Sequence, residues 1–365
     1  MTTATTNAPA LLAVIEAAGR AGVAVCLWGD PGIGKSSLIR ALATNEGKPC
    51  ETVLGSLREP SDFAGLPVVG EDGVYMEAPS WAKRIASAED GAYLFLDELS
   101  TSTPSVQKAM LAVVLDRTVG DLHLPANTRV IAAANDPERA ADGWDLAPPL
   151  ANRFLHVDYN PTTTDWLDGI VSNFPVPTPE PLNPLNNTTR AIARAKVAGF
   201  LRTRPELLHD FPTSDETATG RAWPSRRTWT MLADIFAQTT TDTAADLAAA
   251  GLVGPGAAVE FLTWLAHADQ PDPEAIIADP ESIDWHALTP DRAWAALSGV
   301  VALSTQGTKA AWAKGWKPLA VAAEHDLASV AAACARAMLL ARPEGAMPPA
   351  SVKRFAPALT EAGLL

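Results

Sequence analysis

The sequence has few of the residues that build disulfide frameworks, zinc sites or membrane spans. Its three cysteines, Cys26, Cys50 and Cys334, are odd in number, far apart and without C-x-x-C spacing, which excludes a disulfide framework and a zinc site. The most apolar long window, residues 248–268, is broken by a Gly-Pro-Gly sequence and contains Glu260, so we expect no membrane span. The N-terminal residues are polar and lack the basic-then-apolar order of a signal peptide, and we expect a cytoplasmic protein.

An excess of positive charge is also missing. Lysine and arginine number 28 against 42 aspartates and glutamates, which gives a formal net charge of −14 and a pI near 4.9. Such a negative field repels phosphate backbones and anionic lipids, so we expect no general affinity for nucleic acid or membrane surfaces. The 365 residues, 47% of them hydrophobic, are enough for two or three domains with real cores.

A glycine-rich loop between a predicted strand and a predicted helix is the most informative feature present. The apolar run 23–28 precedes residues that match G-x-x-x-x-G-K-[ST], and a helical segment follows at once. The glycines let backbone N–H groups turn toward one anion, while a helix N-terminus and a lysine add positive charge. We therefore predict a Walker A phosphate loop that binds a nucleoside triphosphate. Its cofactor-binding residues are Gly29, Asp30, Pro31, Gly32, Ile33, Gly34, Lys35, Ser36 and Ser37, and Lys35 also has a catalytic role.

An acidic strand end supplies the second part of the predicted site. The apolar run 92–96 ends in Asp97 and Glu98, as a Walker B sequence does. We expect Asp97 and the hydroxyl of Ser36 to hold Mg²⁺, and Glu98 to polarise the attacking water as the hydrolytic base.

A third buried run, residues 129–134, ends in Asn135. Taken alone, such an asparagine is a turn residue that ends a strand. Next to the acidic strand, we expect Asn135 to hydrogen-bond the γ-phosphate or the attacking water and to take part in catalysis.

Three arginines complete the set of candidate residues. Arg153 precedes the last predicted strand and is either a solvated loop residue or a catalytic residue that faces the nucleotide of a neighbouring subunit. Arg226 and Arg227 follow Ser225, a good N-cap, and so lie in the first turn of a predicted helix. Cations are unfavourable there unless an anion lies opposite. We favour Arg227 over Arg226 as the γ-phosphate contact.

The chain divides by composition into a mixed region and a helical region. Residues 1–160 alternate strands with helices, which predicts a parallel α/β sheet domain. Residues 161–187 are rich in proline and predict an extended connector. Beyond it we find helical patterns only, and we expect a helical lid over 188–270 and a C-terminal helical extension over 271–365.

These elements, in this order and spacing, resemble the AAA+ ATPases and, more narrowly, their MoxR-type branch, which is related to the magnesium chelatase and dynein-type ATPases. Two further segments carry the narrower resemblance. Residues 58–75 resemble the hairpin that this group inserts in its second helix, and residues 115–127 resemble the hairpin before the asparagine-bearing strand. The chain departs from the family where Arg226 replaces a proline and where Asn152 replaces an aspartate.

The resemblance implies a P-loop NTPase core with a five-stranded parallel sheet in the order 5-1-4-3-2, followed by an all-helical lid. It further implies a homo-oligomer, a hexameric ring, in which Arg153 reaches the next protomer's site and Arg227 closes the lid on ATP. Members of this group act as chaperone-like remodellers, often with a partner that carries a von Willebrand A domain. We therefore expect an Mg-dependent ATPase that remodels a protein partner. The alternatives are a nucleotide-gated binding module with little turnover and a nucleic-acid-associated ATPase.

Overall fold

The computed structural model describes residues 7–71, 73–136, 143–212, 220–267, 272–306 and 308–361. These residues form two compact units. The first contains Met1–Leu182 and His209–Ala258, and the second contains Asn183–Leu208 and Val259–Leu365.

The strands of the described residues all lie in the first unit. They are β1 (Ala24–Trp28), β2 (Cys50–Leu54), β3 (Leu66–Gly70), β4 (Gly73–Glu77), β5 (Tyr93–Asp97), β6 (Thr118–Val119), β7 (Leu122–His123), β8 (Arg129–Ala134) and β9 (Phe154–Asp158). The helices of this unit are α1 (Ala8–Ala21), α2 (Lys35–Asn45), α3 (Ser61–Ala64), α4 (Ser80–Ala86), α5 (Pro104–Asp116), α6 (Pro148–Ala151), α7 (Thr163–Ser172) and α9 (Arg226–Phe236).

The remaining helices lie wholly or partly in the second unit. They are α8 (Asn187–Thr203), α10 (Asp242–His267), α11 (Pro273–Ala278), α12 (Pro290–Thr305), α13 (Lys309–Lys314), α14 (Trp316–Ala322), α15 (Ala328–Leu340) and α16 (Ala356–Glu361).

A five-stranded parallel sheet forms the centre of the first unit. Its spatial order is β2-β5-β8-β1-β9, and all four neighbouring pairs run parallel. When these five strands are numbered 1 to 5 along the chain, the order is 5-1-4-3-2, which confirms the predicted fold. Every residue of β1 is buried, as expected for a central strand covered on both faces. The carboxyl ends of the strands therefore meet at one edge of the sheet.

The two predicted hairpins are present as separate two-stranded sheets. Strands β3 and β4 pair antiparallel, and so do β6 and β7. Val69 and Val74 of the first hairpin are 83% and 68% exposed, so its side chains contribute little to the core.

The prediction of an extended connector over residues 161–187 is wrong in its first half. Residues 163–172 form helix α7, which the side chain of Thr162 caps by accepting a hydrogen bond from the backbone N–H of Asp165. The prolines that suggested an extended chain lie on both sides of this helix, at position 161 and from position 175 onward. The intervening residues are therefore free to form a capped helix.

The compact units divide the helical region differently from the expected lid and extension. Helix α8 belongs to the second unit, where a Cβ on its Gly199 would lie 2.7 Å from the Cβ of Ala295 in α12. Helix α9 belongs to the first unit, where Gln238, just after it, donates from Nε2 to the carbonyl of Ala17 at 2.9 Å. Close packing partners distant in sequence, rather than proline content, thus decide to which unit each helix belongs.

One helix in the described residues, Asp242–Ala266, is long and apolar enough to cross a membrane by length and composition. Half of its most apolar window is buried inside the protein. Its backbone also leaves the helical conformation at Gly254, with φ 80° and ψ 157°, and Pro255 follows. Such a break leaves main-chain groups without helical partners, which is costly in lipid. These are features of a core helix.

Candidate functional site

The loop between β1 and α2 has the conformation that phosphate binding requires. Gly32 and Gly34 have φ of 82° and 100°, in the left-handed region that favours glycine. A Cβ at either position would meet no heavy atom within 4 Å, so the space next to the loop is open. Lys35 begins α2, and Gly34 precedes it as the N-cap residue. Residues 29–37 therefore form an open loop that leads into a helix N-terminus, as predicted.

Lys35 is held inside this loop by oxygen atoms. It is 8% exposed, and its Nζ donates to the carbonyls of Gly29 at 2.7 Å and Asp30 at 3.0 Å, and to Oδ1 of Asn135 at 2.8 Å. Burial lowers the pKa of Lys35, while nearby Asp97 and Asp30 oppose that shift. The ammonium group thus lies between the phosphate loop and the end of β8, among acceptors that an anion can replace.

Ser36 and Asp97 form the second contact of the site. The Ser36 hydroxyl donates to Oδ2 of Asp97 at 2.8 Å, across 61 positions of sequence. The other carboxylate oxygen of Asp97 accepts the backbone N–H of Glu98 at 3.0 Å. A hydroxyl and a carboxylate at hydrogen-bond distance are a fitting pair of oxygen ligands for Mg²⁺.

Glu98 has a constrained backbone and an engaged side chain. Its φ is 57°, in the left-handed region that is uncommon for residues other than glycine. Its Oε2 accepts a short hydrogen bond from the hydroxyl of Ser56. The residue is exposed, so this carboxylate lies at the surface of the site and is held from one side.

Ser56 is a contact that the sequence analysis missed. It follows the end of β2, where Leu54 lies in register with Asp97 of β5. The signal was the predicted strand order, since neighbouring parallel strands bring their carboxyl ends to the same edge of the sheet.

Asn135 lies at the end of β8 and is fixed through both its backbone and its side chain. Its N–H donates to Oγ of Ser100 at 3.0 Å, and its Oδ1 accepts from Lys35. The structure therefore brings together two hydrogen-bonded pairs, Lys35 with Asn135 and Ser36 with Asp97. The pairs are linked because Lys35 and Ser36 are neighbours in sequence, and Glu98 follows Asp97.

Ser225, Arg226 and Arg227 lie where the sequence placed them. Ser225 caps α9 by accepting the N–H of Thr228 at 3.2 Å, so both arginines occupy the first turn. Arg227 donates from Nη1 to Oδ1 of Asn152 at 3.4 Å. Both arginines are exposed, and within the described residues the Arg226 side chain makes no hydrogen bond. Arg227 is thus the arginine that the fold positions.

Arg153 lies between α6 and β9, partly buried. Its guanidinium donates to the carbonyl of Pro149, whereas its Nε is buried without a hydrogen-bond partner. Burial lowers the pKa of Arg153, the positive charge of Arg227 lowers it further, and the negative charge of Asp116 opposes that shift.

A fourth arginine, Arg221, lies beside the residue that precedes the phosphate loop and was not predicted. Its guanidinium carbon lies 3.7 Å from the ring centroid of Trp28, the residue directly before the loop. It forms ion pairs with Asp136, next to Asn135, and with Asp158 at the end of β9. No sequence motif marks Arg221, because its partners lie on three different strand ends.

Beneath Arg221, Trp28 and His156 connect β1 to the turn that carries Arg153. The indole Nε1 of Trp28 donates to Nδ1 of His156 at 2.9 Å, and the other ring nitrogen lies 2.8 Å from the carbonyl of Ala151. Both bonds require a neutral imidazole with its proton on Nε2. Complete burial lowers the pKa of His156 to about 4 and keeps it neutral.

Comparison with known proteins shows which proteins the region around this site resembles. A family model described as an AAA domain of the dynein-related subfamily matches residues 24–154. The protein MoxR of Methylorubrum extorquens is 32% identical over 136 residues, 36% of this chain and 38% of that protein. MoxR of Paracoccus denitrificans is 29% identical over 136 residues, 36% of this chain and 39% of that protein. Midasin of Giardia intestinalis is 26% identical over 159 residues, 41% of this chain but 3% of that protein.

The chain therefore spans less than half the length of the curated MoxR proteins that it matches. The matched region contains the phosphate loop, the acidic strand end, Asn135 and four of the five strands of the sheet, and it ends where β9 begins. Through this region, the chain is similar to an AAA domain of the dynein-related subfamily and to the MoxR proteins.

Proposed function

We propose that this protein binds ATP with Mg²⁺, hydrolyses it to ADP and phosphate, and uses that cycle to remodel a partner protein. The observation that carries the proposal is the 2.8 Å contact between the Ser36 hydroxyl and Asp97, which joins the phosphate loop to the acidic strand end. A phosphate loop alone supports binding, and its contact with a carboxylate strand end supports hydrolysis.

The residues present fit both the nucleotide and the metal. Lys35 and the N-terminus of α2 offer positive charge to the phosphates, next to open space at Gly32 and Gly34. Ser36 and Asp97 would hold Mg²⁺, which when bound neutralises charge that develops on the phosphate oxygens. We assign the remaining loop residues, Gly29, Asp30, Pro31, Ile33 and Ser37, to phosphate binding as well.

The catalytic roles follow from what each side chain can donate or accept. Glu98 accepts a proton from the attacking water once its carboxylate leaves Ser56, and Asn135 orients the water or the γ-phosphate through its amide. Arg227 binds the γ-phosphate within its own protomer, and Arg153 contributes charge to the site of the next protomer.

The assembly and the partner are proposed from the family alone. Proteins of this kind act as homo-oligomers, and we propose a hexameric ring in the cytoplasm. The remodelled protein, or an adaptor for it, would carry a von Willebrand A domain. The net charge of −14 argues against nucleic acid as the substrate.

Replacing the base tests the proposal directly. In Glu98→Gln we expect ATP turnover to fall by about 10²–10⁴-fold, because the amide cannot take a proton, while ATP binding persists. The matched control is Glu89→Gln, the same change at an exposed residue of the same unit, which should keep the parent rate. Steady-state phosphate release and calorimetric ATP binding measure the two effects.

A nucleotide-gated binding module is the second candidate, and the contact between Ser56 and Glu98 favours it. A base held by a serine turns over slowly, so the protein would close on ATP without acting as a motor. Equal and negligible rates in the parent and in Glu98→Gln, with ATP binding intact in both, would support this second function and contradict the first.

The shared-site model of the ring has its own test. Mixing inactive Arg153→Ala with inactive Glu98→Gln should restore turnover, because some interfaces then combine an intact Arg153 with an intact Glu98. If no mixing ratio recovers phosphate release, Arg153 does not act across an interface.

A further inference from the structure

Asn152 is a buried amide at the junction between the Arg153 turn and the start of α9. It is 3% exposed. Its Nδ2 donates to the carbonyl of Trp223 at 3.3 Å, and its Oδ1 accepts from the hydroxyl of Ser225 at 2.8 Å and from Nη1 of Arg227 at 3.4 Å. All three partners lie within five consecutive residues, the segment that leads into α9 and carries Arg227.

The three partners require one donor and one acceptor on the same side chain. The carbonyl of Trp223 can only accept a hydrogen bond, while the Arg227 guanidinium can only donate one. An amide meets both demands, whereas a carboxylate offers acceptors alone. The residue type at position 152 therefore matches its surroundings, and it departs from the aspartate that the resembled family usually has there.

The turn that carries Asn152 is also fixed from its other side. The carbonyl of Ala151 is bound by His156, whose second ring nitrogen accepts from Trp28, the residue before the phosphate loop. Residue 151 is thus connected to the end of β1 through His156, and residue 152 bonds to the segment that leads into α9.

The charge on Arg227 is left without an ion pair. Among the described residues, its guanidinium hydrogen-bonds only to the neutral Oδ1 of Asn152. A guanidinium without an ion pair favours an anion beside it.

We propose that Asn152 is a positioning residue for the reaction: it holds the Arg227 guanidinium by a neutral acceptor and so leaves its charge available to the γ-phosphate. This inference rests on the proposed function. An aspartate at the same place would form an ion pair with Arg227, compete with the phosphate, and set a carboxylate oxygen against the carbonyl of Trp223.

The test compares ATP and ADP affinity, since only ATP has a γ-phosphate. Calorimetric titrations are made in the Glu98→Gln background, which blocks turnover. Adding Asn152→Asp should weaken ATP binding by about tenfold and leave ADP binding unchanged, because one charge-assisted hydrogen bond is lost. Arg227→Ala should have a similar effect on the ratio of the two affinities.

Asn127→Asp is the matched control. Asn127 is exposed, and its Nδ2 also donates to a backbone carbonyl, that of Glu89, at 3.3 Å. The same substitution there adds the same charge and removes the same kind of bond, so it should keep the parent's ratio of ATP to ADP affinity. A similar loss of the ratio in both variants would overturn the inference, because added charge alone would explain it.

A second variant covers the case in which Asn152→Asp fails to fold, as judged by thermal unfolding. Asn152→Ala should lower the ratio as well, and it should have no further effect when Arg227 is already alanine, because it acts through that residue. An unchanged ratio, or additive effects, would overturn the inference. If the parent itself bound neither nucleotide, the proposed function would fail first, whereas normal ATP binding and an unchanged ratio contradict only the role of Asn152.

Discussion

The two compact units of this protein have cores of different composition, and their buried polar groups have different partners. In the first unit, aliphatic strands form the core and polar side chains gather at the carboxyl edge of the sheet, where Lys35 bonds to Asn135 and Ser36 bonds to Asp97. In the second unit, tryptophans and alanines form the core, and Trp312 donates from Nε1 to the carbonyl of Met338 at 2.8 Å.

The polar groups of the first unit can bind a ligand, whereas the hydrogen bond of Trp312 in the second unit lies inside a core. The lysine and the serine of the first unit bond to atoms that can be exchanged for phosphate or metal. The indole of Trp312 bonds to a main-chain carbonyl inside a core, where no ligand reaches it. We therefore expect ATP binding and hydrolysis to take place in the first unit, and we expect the second unit to have a structural role.

The largest expected effect is on the stability of the second unit. Trp312 is fully buried, so Trp312→Ala should lower the free energy of unfolding by about 3–5 kcal/mol, through lost apolar contact and a cavity. Urea unfolding measures the change. The matched control is Trp166→Ala at a side chain that is 51% exposed, which should shift stability by about 0.5 kcal/mol or less. If Trp312→Ala also abolished ATP binding to the folded protein, the second unit would take part in ATP binding, and the proposed division of roles would be wrong.

The next effect is on the pH dependence of stability. Because the pKa of His156 is lowered from 6.5 to about 4, the unfolded chain binds a proton at a higher pH than the folded one. Stability is therefore fully present above pH 6.5 and falls by about 3 kcal/mol as the pH drops through 4. Chemical unfolding at several pH values in this window measures the slope.

A glutamine at position 156 should flatten that slope, because it does not titrate and can both accept from Trp28 and donate to Ala151. His123→Gln, at an exposed histidine, should leave the slope as it is in the parent. If His156→Gln keeps the parent's pH dependence of unfolding free energy, groups other than His156 cause the acid sensitivity. The buried Trp28–His156 pair would then not account for the pH response of the first unit.

The smallest expected change in unfolding free energy concerns ATP itself. At an ATP concentration of one hundred times the Kd, binding to the native state alone stabilises it by about 2.7 kcal/mol. Lys35→Ala should remove this gain, because the ammonium that faces the phosphates is gone. Thermal unfolding with and without Mg·ATP measures it, and the matched control is Lys48→Ala, at a partly exposed lysine that pairs with Glu46. If ATP still raised the unfolding temperature of Lys35→Ala as it does in the parent, the phosphate loop would not be the ATP-binding site.

Local motifs predicted residues that the structure brings close together at the candidate site. The phosphate loop, the acidic strand end and the N-cap at Ser225 were each readable because their requirements are met by residues adjacent in sequence. The strand order followed from the family resemblance and is confirmed. Helix α7 was not predicted because the prolines on both sides of it indicated an extended chain, although the segment between them has no proline and begins with the Thr162 cap.

The contacts missed from the sequence share a different property. Ser56 meets Glu98 across 42 positions, and Asn152 meets Arg227 across 75. Arg221 joins the ends of β8 and β9 above Trp28. No local pattern specifies these pairs, because either partner alone is an ordinary surface or turn residue.

The amino-acid sequence by itself determined which loop can cradle a phosphate, which strand ends in two carboxylates and which helix begins with arginines, since backbone conformation and residue type decide these locally. Only the tertiary structure decided which arginine is held, what restrains Glu98 and which helices pack with the sheet. Those outcomes depend on the order and register of five parallel strands, which bring distant strand ends to one edge.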